Sequence, residues 1–342
     1  MKTTFKKAFV LVSWLYTALV VLWFVLHSWL GDTAWWLALL NAFAPFLFVP
    51  LALILPVSLV CRWRSFRASV LPPLAIFLLL YGHLFLPAWP FESTTEDTPL
   101  TIMSFNIWGY SQAEETAHAI LEGETPDIVA LQELAPEMAE VLVKKVGDVY
   151  PYHAIGIGIH EYGVGIFSRY SLTELDSSHL TDSNWRVQIF RVMGDDQAFI
   201  LYNVHLQVSN VLAYVEEGIS VAGEVEASFR NREAQIQRLV ADIATRTEPV
   251  IVTGDFNSTD QSDVYNILAE SLTDAHQAVG WGFGHTFPAY GGSWKGIPII
   301  LRLMRLDMIF YSDDFKALSC RVGSAHGESD HLPVLLQLAW QR

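Results

Sequence analysis

The spacing of apolar residues divides the chain near residue 90. Before that point apolar positions run almost unbroken in three stretches, roughly 8–30, 35–60 and 70–89. A bilayer core takes about 20 consecutive apolar residues per helix, so the pattern predicts three membrane-spanning helices within residues 1–90. Pro45, Pro50 and Pro56 are expected to kink the second span. Pro72 and Pro73 open the third apolar run, where a helix tolerates proline best. The first run is too long for the core of a signal peptide, and no small-residue cleavage motif separates it from the second.

After a polar linker, 91–99, short β-branched and aromatic runs alternate with amphipathic segments. Strands are expected at 100–107, 127–132, 164–168, 188–192, 198–206, 250–253, 305–311 and 334–338. Helices are expected at 114–123, 134–146 and 224–246. Strict strand–helix alternation is missing, which favours α+β layering over a doubly wound sheet. Residues 100–342 therefore read as one folded domain behind a membrane segment.

Charge sharpens the division. Of 36 acidic residues only Asp32 lies in the first ninety, against six of the 21 basic ones; this leaves 35 acidic and 15 basic residues in 91–342. A domain carrying about 20 excess negative charges repels polyanions at long range, which counts against a nucleic-acid-coating role without excluding a nuclease. Lys2, Lys6 and Lys7 precede the first span, and Arg62, Arg64 and Arg67 separate the second from the third. The first connection, Gly31-Asp32-Thr33, has no basic residue. Positive-inside bias thus predicts a multi-pass cell-membrane protein with a cytoplasmic N-terminus and an extracytoplasmic C-terminal domain. Trp35, Trp36 and Trp89 fit an aromatic belt on the outer surface, and His27 and His83 read as helix-packing or interfacial residues. Only Cys61 and Cys320 are present, too few and too separated to support a zinc site or a disulfide framework.

Polar residues of the domain collect where the apolar runs end: Asn106, Glu133, His205, Asp255, Asn257, Asp307, Asp330 and His331. Strand ends on one sheet edge converge on one place, a common way for a rigid scaffold to hold a site. In Thr253-Gly-Asp-Phe-Asn257, a turn after a strand would put Asp255 and Asn257 on one side and Phe256 in the core. Glu133, after Ile-Val-Ala-Leu-Gln, needs a partner or a metal if buried. Each motif alone has an ordinary reading, an Asx-rich turn or a surface Asp-His pair. Their order carries more weight.

That order resembles the successive motifs of the endonuclease/exonuclease/phosphatase, or DNase I-like, superfamily. The matching residues are Asn106 in Ser-Phe-Asn-Ile, Glu133 in Leu-Gln-Glu, His205 in Asn-Val-His-Leu, Gly-Asp-Phe-Asn, Arg305-Leu-Asp307, and Ser329-Asp330-His331. Gly163–Ser168 and Arg232-x-x-Gln235 extend the resemblance, which spans about residues 100–340 and suggests a membrane-anchored bacterial-type member. It implies a four-layer α/β/β/α sandwich. It also implies a Mg²⁺ or Mn²⁺ ion held by Glu133, Asn106 and Asp330, with catalysis by His331, Asp307, Asp255, Asn257 and His205. His331 would take or orient the water proton and Asp307 would hold the imidazole. Asp255 would help position the nucleophile or leaving group, and Asn257 and His205 would bind phosphate oxygens. His285, in His-Thr-Phe-Pro, resembles a substrate-side loop residue.

The resemblance also implies a phosphate-ester substrate. The apolar stretch 293–304, with Trp281, Phe283 and Phe287 as further apolar candidates, reads either as a lipid-facing loop or as a covered hairpin. With the membrane segment, it favours a lipid or lipid-linked phosphodiester over DNA or RNA. A soluble phosphomonoester and a catalytically inactive membrane receptor or scaffold are the remaining readings. No protein partner is inferable from the sequence.

Overall fold

The computed structural model describes residues 2–341 except 62, 87–98, 123–124, 157–161, 182–184, 195–196, 210–214, 216–217, 290–292, 295–296 and 299–300. The expected linker falls outside these residues except for Pro99, as do Trp89 and Arg62.

The N-terminal part is helical: α1 (Lys2–Leu30), α2 (Trp35–Ala42), α3 (Val49–Val60) and α4 (Arg64–Tyr81), with 3₁₀ turns at Ala44–Phe48 and Gly82–Phe85. Two helices, Lys6–Leu30 and Arg64–Phe85, are each long and apolar enough to cross a membrane. The second predicted span is broken. α2 and the segment Ala44–Val60 meet at 71°, with Pro45 opening the 3₁₀ turn. The third helix starts at Arg64, earlier than the apolar run, so Pro72 and Pro73 lie inside it rather than at its start. Pro73 cannot donate to the Ser69 carbonyl; the Thr17 hydroxyl of α1 donates there instead. A neighbouring helix thus supplies the hydrogen bond that the proline removes.

The domain carries the expected four layers. One six-stranded sheet has the order β13-β14-β1-β2-β4-β3. Its strands are β1 (Leu100–Asn106), β2 (Ile128–Leu134), β3 (Tyr152–Gly156), β4 (Gly163–Ser168), β13 (Phe315–Val322) and β14 (Val334–Trp340). The other has the order β5-β6-β7-β8-β12-β9. It comprises β5 (Ser171–Leu175), β6 (Arg186–Met193), β7 (Ala198–His205), β8 (Val250–Asp255), β9 (Thr273–Asp274) and β12 (Asp307–Tyr311). Along β2, Ile128 and Ala130 face the second sheet, while Val129 and Leu131 pack beneath α5 (Ala113–Leu121) and α6 (Pro136–Val146). On the far face of the second sheet, Val252 and Phe310 pack beneath α7 (Val221–Ile243) and α8 (Asp263–Ala269). Covering both faces explains why the inner strands read as nearly continuous apolar runs.

Several elements were not expected from the sequence: β3, β5, β13, α8 and the short helix α9 (Ala275–Val279). Within 293–304 the described backbone forms a small hairpin, β10 (Ser293–Trp294) with β11 (Ile297–Pro298).

The domain packs on one end of the helical segment. Asp32 and Asp263 exchange backbone-to-carboxylate hydrogen bonds of 2.7 and 2.9 Å. Gly282 N donates to Leu84 O at 2.8 Å, His83 hydrogen-bonds Gln277, and Phe283 stacks edge-on against Tyr81 and Phe85. At the opposite end the Lys6 ammonium sits over the Trp63 ring. His27 stacks on Trp23 within the bundle.

Candidate active site

β1 and β2 run parallel, as do β7 and β8, so their C-terminal ends bring Asn106, Glu133, His205 and Asp255 to one edge of the sandwich. β12 and β14 run antiparallel to them and contribute their N-terminal ends: Asp307 pairs with Asp255, and Asp330 and His331 immediately precede β14.

Local devices aim these groups inward. The β2–β4 register slips at Glu133, which adopts a positive φ of 57°. Such a bulge re-aims a side chain. Gly254 has φ 149°, and a Cβ there would lie 1.9 Å from the Val204 carbonyl oxygen, so β7 and β8 approach this closely only with glycine. The turn beyond it closes as Asn257 N donates to Asp255 Oδ1 at 2.8 Å, and Phe256 is buried, as expected. Ser329 Oγ donates to the Asn106 carbonyl at 2.7 Å and accepts from His331 N, fastening the Ser-Asp-His turn to the end of β1.

The groups expected from the sequence to act in catalysis form one connected cluster. His331 Nδ1 meets Asp307 Oδ2 at 2.8 Å, and His331 Nε2 lies 3.9 Å from Asp255 Oδ2. The Asn106 amide nitrogen donates to Asp255 Oδ2 at 2.9 Å and to Glu133 Oε1 at 3.1 Å, while its oxygen accepts from Trp108 N. His205 Nε2 stands 3.6 Å from Glu133 and 3.8 Å from Asp255, buried and without a hydrogen bond. Asn257 donates to the Leu206 carbonyl at 3.0 Å.

Crowded negative charge shifts the acids and bases. Burial pushes the Asp255 carboxyl up, reinforced by Asp307, although His331 and His205 oppose it. Burial also raises Asp330, to about 6, with Glu133 and Asp255 adding to the rise. Burial acting alone would lower His331, but the charges of Asp307 and Asp255 outweigh it and raise the imidazole to about 10.

Could this cluster take a divalent cation? Asp255, Asp307 and His331 place ligand atoms within 4.8 Å of one another. Asp307 Oδ2 and His331 Nδ1 already face each other at 2.8 Å. The oxygens of Glu133 and Asp255, bridged by the Asn106 amide, therefore offer the better hard-donor set. Uncompensated carboxylates in a buried cluster fit such an ion.

His285 lies apart from this network. Its Nδ1 hydrogen-bonds the Arg302 carbonyl, and its ring stacks between Phe283 and Phe46 of the helical segment. Sequence reasoning missed Thr286, whose hydroxyl accepts from the Asp307 amide, and Phe287, whose ring packs on His331 at 4.9 Å. It also missed the buried Arg305–Asp274 pair, joined by bonds of 2.7 and 3.1 Å beside the site. Arg305, Thr286 and Phe287 lie within the motifs read from the sequence, but nothing in the sequence signalled these contacts.

The family model described as "Endonuclease/Exonuclease/phosphatase family" matches residues 103–331. Comparison with curated proteins finds no match. Among solved structures, D. rerio TDP2 complexed with single-strand DNA product aligns with a TM-score of 0.55 at 20% identity, over 71% of this chain and 100% of that one. An endonuclease/exonuclease/phosphatase from Bacteroides vulgatus aligns with a TM-score of 0.52 at 20% identity, over 72% of this chain and 100% of that one. A Bacteroides thetaiotaomicron protein described in the same family terms aligns at 16% identity with a TM-score of 0.51, covering 72% of this chain and 100% of that one. These likenesses establish the sandwich.

Proposed function

Since the chain belongs to the endonuclease/exonuclease/phosphatase family, whose members hydrolyse phosphate esters, we propose that it is a membrane-anchored, divalent-metal-dependent phosphodiesterase that cuts a lipid or lipid-linked diester outside the cytoplasm. One observation carries this reading. The catalytic domain is fastened to one end of an apolar helical bundle by the Asp32–Asp263 exchange and the Phe283–Phe85 contact, while the basic N-terminal end lies opposite. Positive-inside bias supports a domain on the outer face, tethered beside the bilayer.

The chemistry follows from the residues. Glu133 and Asp255, with Asp330 close enough in charge to feel both, would hold Mg²⁺ or Mn²⁺, and Asn106 would orient those carboxylates. The ion would supply charge stabilisation to the phosphoryl oxygens and lower the pKa of water. Asp307 fixes His331 with Nδ1 facing the carboxylate, leaving Nε2 toward the site to accept a proton from the attacking water. A nearby cation would offset the charge of Asp255, which otherwise favours imidazolium, and so bring His331 toward the neutral form that a base requires. His205 and Asn257 flank the cluster as donors for phosphate oxygens.

A second reading, cleavage of nucleic acid, draws on the single-strand DNA product bound to the D. rerio relative. The strong negative charge of this domain weighs against it. Full-length protein in nanodiscs, assayed with Mg²⁺ and Mn²⁺ on phospholipid, sphingomyelin, DNA, RNA and a generic diester, separates the readings. Release of a phosphorylated headgroup supports the proposal; rapid DNA or RNA cleavage with no lipid turnover overturns it.

A further inference from the structure

A cleft lies away from the catalytic cluster, on the side of the domain that meets the helical segment. It measures about 450 Å³ and is lined by Trp281, Phe283, His285, Arg302, Cys320 and Arg321, among others. Its aromatic wall is shared with the bundle: Phe283 touches Tyr81 and Phe85, Trp281 touches Phe85, and His285 stacks on Phe46. Phe85 closes the turn that ends the last apolar helix, so the cleft stands beside the end of that helix.

Its charge is out of character for the domain. In a region with 35 acidic residues against 15 basic ones, Arg302 and Arg321 both border this cleft, and among the described residues neither has an ion-pair partner. Burial holds the His285 and His276 imidazoles below their ordinary range, so the positive charge belongs to the two guanidiniums. Trp281 is 64% exposed and Leu301, beside Arg302, is 60% exposed. Two guanidiniums with no ion pair among the described residues, beside an aromatic and aliphatic rim, match an amphiphile with a phosphate head and apolar tails. The cleft volume falls within the range of small-molecule sites.

The cleft is also separate from the chemistry. Along 285–287, Thr286 and Phe287 turn to Asp307 and His331, whereas His285 turns to Arg302 and the bundle. A molecule held there would not occupy the catalytic cluster.

We propose that this cleft binds the phosphate headgroup of an anionic phospholipid from the adjacent leaflet, with Arg302 and Arg321 on the phosphate and Trp281 and Phe283 beside the acyl chains. The site depends on the bundle lying in a membrane, and not on which ester the enzyme cuts.

The test uses the full chain in nanodiscs of phosphatidylcholine and phosphatidylglycerol, with retained lipids counted by native mass spectrometry. Each cation near an anionic surface contributes roughly fivefold in affinity, so retention of phosphatidylglycerol over phosphatidylcholine should fall about 25-fold in Arg302→Gln/Arg321→Gln. Both arginines are exposed, and an unchanged unfolding temperature would show that the variant folds. As an independent check, Trp281→Ala, which leaves both cations in place, should weaken retention of both lipids. Millimolar glycerol phosphate should not displace the retained lipid. Equal retention of the two lipids, or a double variant matching the parent, overturns the proposal. Displacement by glycerol phosphate overturns the lipid as the source of the phosphate.

Discussion

Replacing Asp307 with Asn tests the heart of the site. The side chain is fully buried, and its carboxylate meets His331 Nδ1 at 2.8 Å. The rise of His331 from 6.5 to about 10 corresponds to about 5 kcal/mol favouring imidazolium, an upper figure to which Asp307 contributes most, with Asp255 and Asp330 adding to it. Removing the largest of these three charges should therefore cost at least about 2 kcal/mol of metal-free stability near pH 6. The sign follows from the direction of the shift. A histidine raised in the folded state contributes fully below its unfolded pKa and loses that contribution as pH climbs through the folded one. The gap between parent and variant should thus narrow as the pH approaches 10. Catalysis should suffer independently, because an amide fixes the imidazole tautomer poorly; a fall of about 10²–10⁴ in kcat is expected. Chemical denaturation across pH in EDTA, NMR titration of the His331 ring, and kcat on a generic phosphodiester with Mg²⁺ measure the three effects. An unshifted His331 titration with kcat within about threefold of the parent would refute the pairing.

Other outcomes follow from the same structure. Glu133→Gln should weaken Mg²⁺ binding, read by isothermal titration, by at least about tenfold while leaving the fold intact, and chelation of the parent should abolish turnover. Arg305→Met strands a buried Asp274 carboxylate and should cost about 3–5 kcal/mol in denaturant unfolding. Burial alone would raise Asp274, but Arg305 holds it below its ordinary range; without Arg305 its pKa rises, so the variant should recover stability relative to the parent as pH falls toward 4. Asp263→Ala removes the carboxylate that accepts from Asp32 N, and hydrogen exchange should rise at residues 31–34 and 263–266 while hydrolysis of a soluble diester persists.

Much of the site was legible because its residues stand at strand ends, where apolar runs stop abruptly: Asn106, Glu133, Asp255 and His331 are all of this kind. The four layers were legible only through the family resemblance; the pattern itself showed runs apolar on both faces, such as Ile128–Leu131, which are buried between helices and the second sheet. What stayed hidden depends on contacts between distant segments. No local pattern shows that Thr286 will hold the Asp307 amide, or that Arg305 will be neutralised by Asp274. β3 and β5 lie at sheet edges and are partly exposed, so they lack the apolar run that marks a central strand. The start of α4 was missed for a related reason. Arg64 and Arg67 interrupt the hydropathy, yet the Arg67 guanidinium folds back onto the Ser58 and Leu59 carbonyls, and the Thr17 hydroxyl covers the carbonyl that Pro73 leaves free. His285 matched a substrate-loop motif by sequence, but it stacks against Phe46.

The most direct test asks whether the enzyme reaches only the bilayer that holds it. Full-length protein is placed in nanodiscs containing one labelled phospholipid, mixed with empty discs containing a differently labelled copy, and Mg²⁺ is added. A domain fastened to its own bundle should release headgroup from its own disc at least about tenfold faster than from the empty ones, as expected for a tethered reaction of high effective concentration. Equal release from both populations, or cleavage of added DNA with neither lipid touched, would contradict the account.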